Sequence, residues 1–256
     1  MKSILVFALA ITALANTPRS ARSTVRVELE PQSREAEQNY QRGHAYEEGI
    51  GVDRDYAQAA RFYRMAAETG HCAAQYELAY LYTQGLGLER DYTQAAEWYR
   101  KAALQGDAEA QNNLGTLYAA GKGVLRSDSE AAHWYKLAAE QNDPEGLSNL
   151  AMMYLRGRAV TRDVSEAFRL FRKSADLGYA VAQNNLALMY ANGQGVSRDY
   201  VMAYAWLDVA GEQIADCREL RDRIGKEMSA DQVERARALA NSKRAEITEN
   251  RNGAKK

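Results

Sequence analysis

Apolar positions along this chain fall into two alternating helical stripes. Between Ala74 and Gln84, the residues Ala74, Leu78, Leu81 and Tyr82 follow the i, i+4, i+7, i+8 spacing of one helix face. A G-x-G pair, Gly85 and Gly87, then ends that helix, because glycine enters the positive-φ region cheaply. A second stripe follows: Ala95, Ala96, Trp98, Tyr99, Ala102 and Ala103 set small residues around an aromatic pair. Asp91 precedes this second helix as an N-cap, where its carboxylate can accept from the first free backbone N–H groups.

The two-helix pattern returns every 36 residues. Tyr46, Tyr82, Tyr118, Tyr154 and Tyr190 keep the step, as do Gly49, Gly85, Gly121, Gly157 and Gly193. Gly51, Gly87, Gly123 and Gly195 form another family, with Ala159 as the departure. Arg54, Arg90, Arg126, Arg162 and Arg198 keep it too. The caps are Asp55, Asp91, Ser127, Asp163 and Asp199, and Ser127 with Glu130 has the spacing of a capping box. Serine at one of five such positions points to capping and away from ion binding. Gly70, Gly106 and Gly178 close three units, and Asn142, which tolerates left-handed geometry, closes a fourth.

The pattern A-x-x-x-L-G/A-x-x-Y-x-x-G-x-G-V, then a cap, then A-x-x-W-Y-x-x-A-A-x-x-G, resembles the Sel-one-like repeat (SLR) family, a relative of tetratricopeptide repeats. Repeat three carries it most fully, in Ala110, Leu114, Gly115, Tyr118, Gly121, Gly123, Val124, Ala131, Ala132, Trp134, Tyr135, Ala138 and Ala139. The resemblance covers roughly residues 37–213 and is specific for fold, not activity. The expected architecture is all-α: a right-handed superhelical solenoid of about five 36-residue helix-turn-helix repeats with a C-terminal helical cap. The expected boundaries are a signal peptide over 1–15 and a flexible linker over 16–34. Repeats follow at about 35–71, 72–107, 108–143, 144–179 and 180–213, then capping helices over 214–247 and a disordered tail over 248–256. Gln38 and Arg42 replace Ala74 and Leu78 in register, as an exposed first repeat requires. Ser229 with Gln232 forms a second capping box, so a final helix should begin near Ala230 and pack through Val233, Ala236, Leu239 and Ala240.

The N-terminus changes the picture of where the solenoid works. Lys2 precedes an uncharged apolar run from Ile4 to Leu14, and Ala13-Leu14-Ala15 is a small-residue cleavage site. The run is shorter than the roughly 20 residues a bilayer span needs. Cleavage after Ala15 would yield a periplasmic or secreted protein without a transmembrane segment. Export permits disulfides, but Cys72 and Cys217 stand about four repeats apart. At ~10 Å per helix layer that exceeds the ~7 Å reach of a bridge, so no intrachain disulfide is expected. A net charge of −1 without a basic stripe argues against nucleic acid.

Catalytic constellations are missing from the sequence. His44, His71 and His133 lie in different repeats with no metal-ligand spacing. Gly121-Lys122-Gly123 and Gly225-Lys226 lack the residues a phosphate loop needs after the lysine. No serine has lysine at +3, and the regular cysteine pairs of the SLR proteins described as acting on β-lactams are absent. No cofactor or metal site is expected, and the protein is read as a non-enzyme.

A surface remains. First helices should line a concave face, and the residues off their packing stripe are the candidate contacts. One row is Asn113, Asn149 and Asn185, with Glu77 in step. The tetratricopeptide resemblance implies that such asparagines hold a peptide main chain; the alternative is that they bond to neighbouring repeats. A second row is Tyr80, Thr116, Met152 and Leu188, beside Tyr76, Asn112, Ser148 and Asn184. For Met152 and Leu188 the alternative is inter-repeat core. The leading expectation is an exported, monomeric scaffold or regulator of the cell envelope, holding a protein or peptide segment in this groove. Rival expectations are a glycan or peptidoglycan binder, a β-lactamase-like hydrolase and a secreted effector.

Overall fold

The computed structural model describes residues 31–253. Within them the chain forms twelve helices and no strand. Five antiparallel hairpins come first: α1 (Pro31–Glu48) with α2 (Tyr56–Glu68), α3 (Cys72–Gln84) with α4 (Tyr92–Leu104), α5 (Ala108–Ala120) with α6 (Asp128–Glu140), α7 (Pro144–Arg156) with α8 (Val164–Asp176), and α9 (Ala180–Asn192) with α10 (Tyr200–Ala210). α11 (Ala215–Gly225) and α12 (Ala230–Gly253) then close the end. This is the all-helical repeat solenoid that the periodicity predicts. From α1 to α11 each helix packs on the next in sequence, and α5 also touches α7, whereas no two consecutive second helices meet as closely. The first helices therefore gather on the inner face.

Capping fixes where each second helix starts. Asp55, Asp91, Ser127, Asp163 and Asp199 are all N-caps in extended backbone conformation, and each accepts from an N–H one turn in. Their own N–H groups are engaged too: Asp91 N donates to Tyr82 O at 3.1 Å and Ser127 N to Tyr118 O at 3.0 Å. That engagement corrects the first capping box. Ser127 Oγ accepts from Glu130 N at 3.2 Å, but the Ser127 N–H is already spent on the repeated tyrosine's carbonyl. The second box closes in both directions, with Ser229 N to Gln232 Oε1 at 2.9 Å and Gln232 N to Ser229 Oγ at 3.3 Å.

Two chain-end expectations shift. α1 starts at Pro31, inside the stretch expected to be linker; proline is well suited to a first helical turn. α12 runs to Gly253, past the expected onset of the tail at 248, and Asn250 Nδ2 ties it to Asp176 O at 3.1 Å. The proposed signal segment lies outside the described residues. α12 also packs on α10, where Arg244 holds Asp208 at 2.9 Å and Arg221 holds the same carboxylate at 2.6 Å.

The core is the apolar stripes. Tyr99, Leu114, Phe171 and Leu186 are each buried, and a side chain of that size contributes about 1.5–3 kcal/mol by leaving water. Core packing divides inside repeat three: Leu114 and Leu117 belong with the N-terminal repeats, Ala131 and Tyr135 with the C-terminal ones.

A polar ladder runs through the junctions between hairpins. Gln75 Nε2 donates to Ala67 O at 3.1 Å and Gln75 Oε1 accepts from Gln105 at 2.7 Å. One repeat later, Gln111 bonds Ala103 O at 3.1 Å and Gln141 at 2.9 Å. In repeat four both members of the pair are leucine: Leu147 is buried, and half-buried Leu177 packs against the same core. Replacing both partners leaves no orphan, which is why the exchange is tolerated.

The glycine family at 87, 123 and 195 also belongs to the junctions. A Cβ on Gly123 would lie 2.0 Å from Tyr92 O in the preceding hairpin, and one on Gly87 would lie 2.1 Å from the Tyr56 carbonyl carbon. Ala159 keeps the positive φ of 58°. By register it faces Asp128, the one polar residue among Tyr56, Tyr92, Val164 and Tyr200. There Arg158 grips Asp128 through two bonds of 3.0 and 2.5 Å.

Candidate functional site

The inner face opens into a groove of about 410 Å³ over the second and third hairpins. α3 contributes Tyr76, Tyr80, Thr83 and Gln84; α4 contributes Tyr99 at the floor. α5 contributes Glu109, Asn112 and Asn113, and the N-terminus of α7 supplies Asp143, Pro144 and Glu145. Local sequence explains the placement. Tyr76, Tyr80, Thr83 and Gln84 sit 3 to 4 residues apart on one side of α3, away from the stripe of Ala74, Leu78 and Leu81, which is buried. Asp143 is there because it caps α7, accepting from Gly146 N at 2.6 Å.

The predicted contacts divide. Tyr76, Tyr80 and Asn113 line the groove together. Tyr76 tilts against Tyr99 with ring centroids 5.7 Å apart, and Tyr80 stands 37% exposed. Asn113 and Thr83 lie beside the Tyr99 hydroxyl. The other five do not join them. Asn149 spends its Nδ2 on Asn112 Oδ1 at 2.8 Å, the neighbour-bonding alternative for that residue. Thr116 turns its hydroxyl back to Asn112 O at 3.1 Å and sits 3.2 Å from the Tyr135 hydroxyl. Met152 is half-buried against the C-terminal core, and Asn185 and Leu188 are half-buried outside the groove.

Sequence reasoning passed over the acidic side of the groove. Asp143 reads as a cap and Glu109 and Glu145 as first-turn acids, roles they do fill. The available signal was the distribution of cations. From repeat two to repeat four the first helices α3, α5 and α7 hold a single cation, Arg156 in the last turn of α7, while the second helices α4, α6 and α8 all carry lysine or arginine. At the ends the contrast lapses, with Arg34 and Arg42 in α1 and no cation in α10. The groove is therefore an acidic stretch of the inner face within a chain of net charge −1. Burial, with Glu47, Glu109 and Asp107 nearby, pushes Glu77 up to about 7. Burial also pushes Asp143 to about 6, against the Gly146 N–H bond that favours its ionised form. Glu145 accepts from Asn112 Nδ2 at 3.1 Å, and Glu109 lies beside the Tyr76 hydroxyl, which burial raises.

The face has the chemistry of a binding surface: aromatic rings, amides and carboxylates on rigid helices. Among the described residues no group of histidine, cysteine and carboxylate side chains is arranged to hold a metal ion. No described helix is long and apolar enough to cross a membrane. His71 caps α3, accepting from Ala74 N at 3.2 Å, stacks on Tyr40 at 4.8 Å and meets Glu37 at 3.1 Å. His44 flanks the same tyrosine from 6.5 Å, whereas His133 packs edge-on to Trp134 in repeat three. Cys72 and Cys217 are free thiols, the first beside Ala102 O and the second beside Asn184 Oδ1.

Known proteins place this geometry in context. The Sel1 repeat model matches residues 39–71, 72–107, 108–143, 144–179 and 180–213. A Sel1 repeat protein from Oxalobacter formigenes is 33% identical over 72% of this chain and 75% of its own, with a TM-score of 0.64. Pseudomonas aeruginosa pilF is 22% identical over 89% of this chain and 100% of its own, with a TM-score of 0.56, a likeness of fold alone. An immunity protein from the same species is 20% identical over 85% of this chain and 83% of its own, with a TM-score of 0.51, again fold alone. No curated protein matches the chain.

Proposed function

The chain belongs to the Sel1 repeat family, and from that premise we propose that it is an exported scaffold that holds a peptide or protein segment in the groove of repeats two and three, without chemistry. Proteins built from Sel1 repeats generally serve as protein-interaction scaffolds. The observation that carries the finer reading is the groove itself. Its walls come from three first helices and the α4 tyrosine, so its shape is set by hairpin stacking and is ready before a ligand arrives. Exposed Tyr80 offers a flat ring, and Asn113 offers both a donor and an acceptor to a peptide backbone. The export segment Ile4 to Leu14 supports a cell-envelope setting, periplasmic or secreted.

A photocrosslinking side chain at Tyr80 tests this, with a control at Lys136, exposed on second helix α6. The proposal expects one discrete protein captured from Tyr80 in the native envelope and none from Lys136. Equal labelling from both positions would remove the groove from the account. Capture of cell-wall fragments alone would replace the protein partner with a glycan.

A further inference from the structure

We propose that the segment seated in this groove carries lysine or arginine, its cationic group held by Glu109 and Glu145 against the ring of Tyr80. The inference rests on the scaffold reading above and specifies the partner's chemistry. Glu109, Asp143 and Glu145 line the groove, and no lining residue is a cation. Among the described residues no ion pair involves any of these three or Glu77, although Asp128 is paired with Arg158 and Asp208 with Arg221 and Arg244.

The tyrosines repeat that contrast. Arg64 sits over Tyr82, Arg100 over Tyr118 and Arg198 over Tyr200, at 5.6 to 5.9 Å. No described cation sits over Tyr76 or Tyr80. Asp128, Asp208 and the rings of Tyr82, Tyr118 and Tyr200 are covered by guanidinium groups; in the groove Glu109, Glu145 and the ring of Tyr80 share one lining with no described cation on any of them. A partner's lysine or arginine completes both interactions at once. An acidic segment would bring further like charge to a groove where burial first, and neighbouring carboxylates second, already push Glu77 and Asp143 up. A purely apolar segment would strip water from Glu109 and Glu145 without replacing it.

The test is selection of a random linear-peptide library displayed on phage against the full chain, followed by titration of the recovered peptides. Glu109→Gln with Glu145→Gln removes the charge and keeps the acceptors; Tyr80→Ala with Gln84→Ala removes the groove wall. Circular dichroism confirms that both variants fold. The proposal expects recovered peptides enriched in lysine or arginine, bound roughly tenfold more weakly by the charge variant and released as salt is raised. Peptides that lose binding to the groove variant but carry no cation, or bind the charge variant equally well, would overturn the inference and leave the scaffold reading standing. Peptides indifferent to the groove variant would overturn both.

Discussion

The junctions between hairpins and the inner face of the first helices come from the same 36-residue pattern, yet they use it in opposite ways. At the junctions, the departures of repeat four are matched: Leu147 comes with Leu177, and Ala159 faces Asp128 held by Arg158. On the inner face they are unmatched. The register position of Tyr80 holds Thr116, Met152 and Leu188 in later repeats, and only the tyrosine lines the groove. A junction residue must satisfy a fixed neighbour about one helix diameter away. An inner-face residue answers to solvent or to a partner. Stability is thus concentrated at the junctions, and binding can vary along the face without disturbing the stack.

The sharpest break of this comparison is at glycine. Gly51 and Gly123 share the same turn, with φ of 73° and 68°, but among the described residues no hairpin precedes that of Gly51, and nothing lies within 4 Å of an added Cβ there. Gly51→Ala should cost about 1 kcal/mol for the left-handed conformation alone. Gly123→Ala adds a collision with Tyr92 O and should cost about 3 kcal/mol or more. Urea unfolding of both variants checks this; equal losses would mean that close approach is not what requires glycine.

The glutamine ladder gives the next largest effect. Gln111→Leu leaves Gln141 without its partner and Ala103 O with the Gly106 N–H alone, and should cost about 2 kcal/mol. Adding Gln141→Leu should recover the protein to within about 1 kcal/mol of its starting stability, because repeat four already uses that pair. A double variant no better than the single one would show that the ladder is not a pairwise device.

Glu77 is a smaller lever. The folded chain keeps its proton up to about pH 7, whereas the unfolded chain releases it near 4.5. The folded state thus binds more protons in that window, so its stability falls as pH rises through it, and the cost is complete above about 7. Screening of a partly exposed carboxylate brings that cost to about 1 kcal/mol. Glu77→Gln should therefore raise the melting temperature at pH 8 and flatten its decline between pH 5 and 7 (~1 kcal/mol in all). An unchanged pH profile would place the carboxylate in water. The smallest effect on stability belongs to the groove: Tyr80→Ala should stay within about 0.5 kcal/mol, since the ring is already 37% exposed.

How far the sequence alone reveals this follows the same division. Period, caps, glycine turns and the stripes of Ala95 to Ala103 are legible because they depend on local backbone and on helix periodicity. The glutamine ladder is not, because Gln105 and Gln75 are 30 residues apart and look like ordinary surface amides. Asn149 shows the same limit at the site. Its register matches Asn113, but its amide is taken by Asn112, a partner fixed only by how the hairpins stack. Glu109, Asp143 and Glu145 pass as helix-start residues, and their second role emerges only when three first helices are brought side by side. The start of α1 at Pro31 was masked by a proline that reads equally as a linker residue.

The most direct test of the division between stack and face is hydrogen exchange on the full chain, with and without the peptides selected for the groove. The account predicts added protection confined to α3, α5 and the first turn of α7, with α8, α10 and α12 exchanging as before. Protection centred on the second helices, or on α9 to α12, would contradict it and place the binding surface outside the groove.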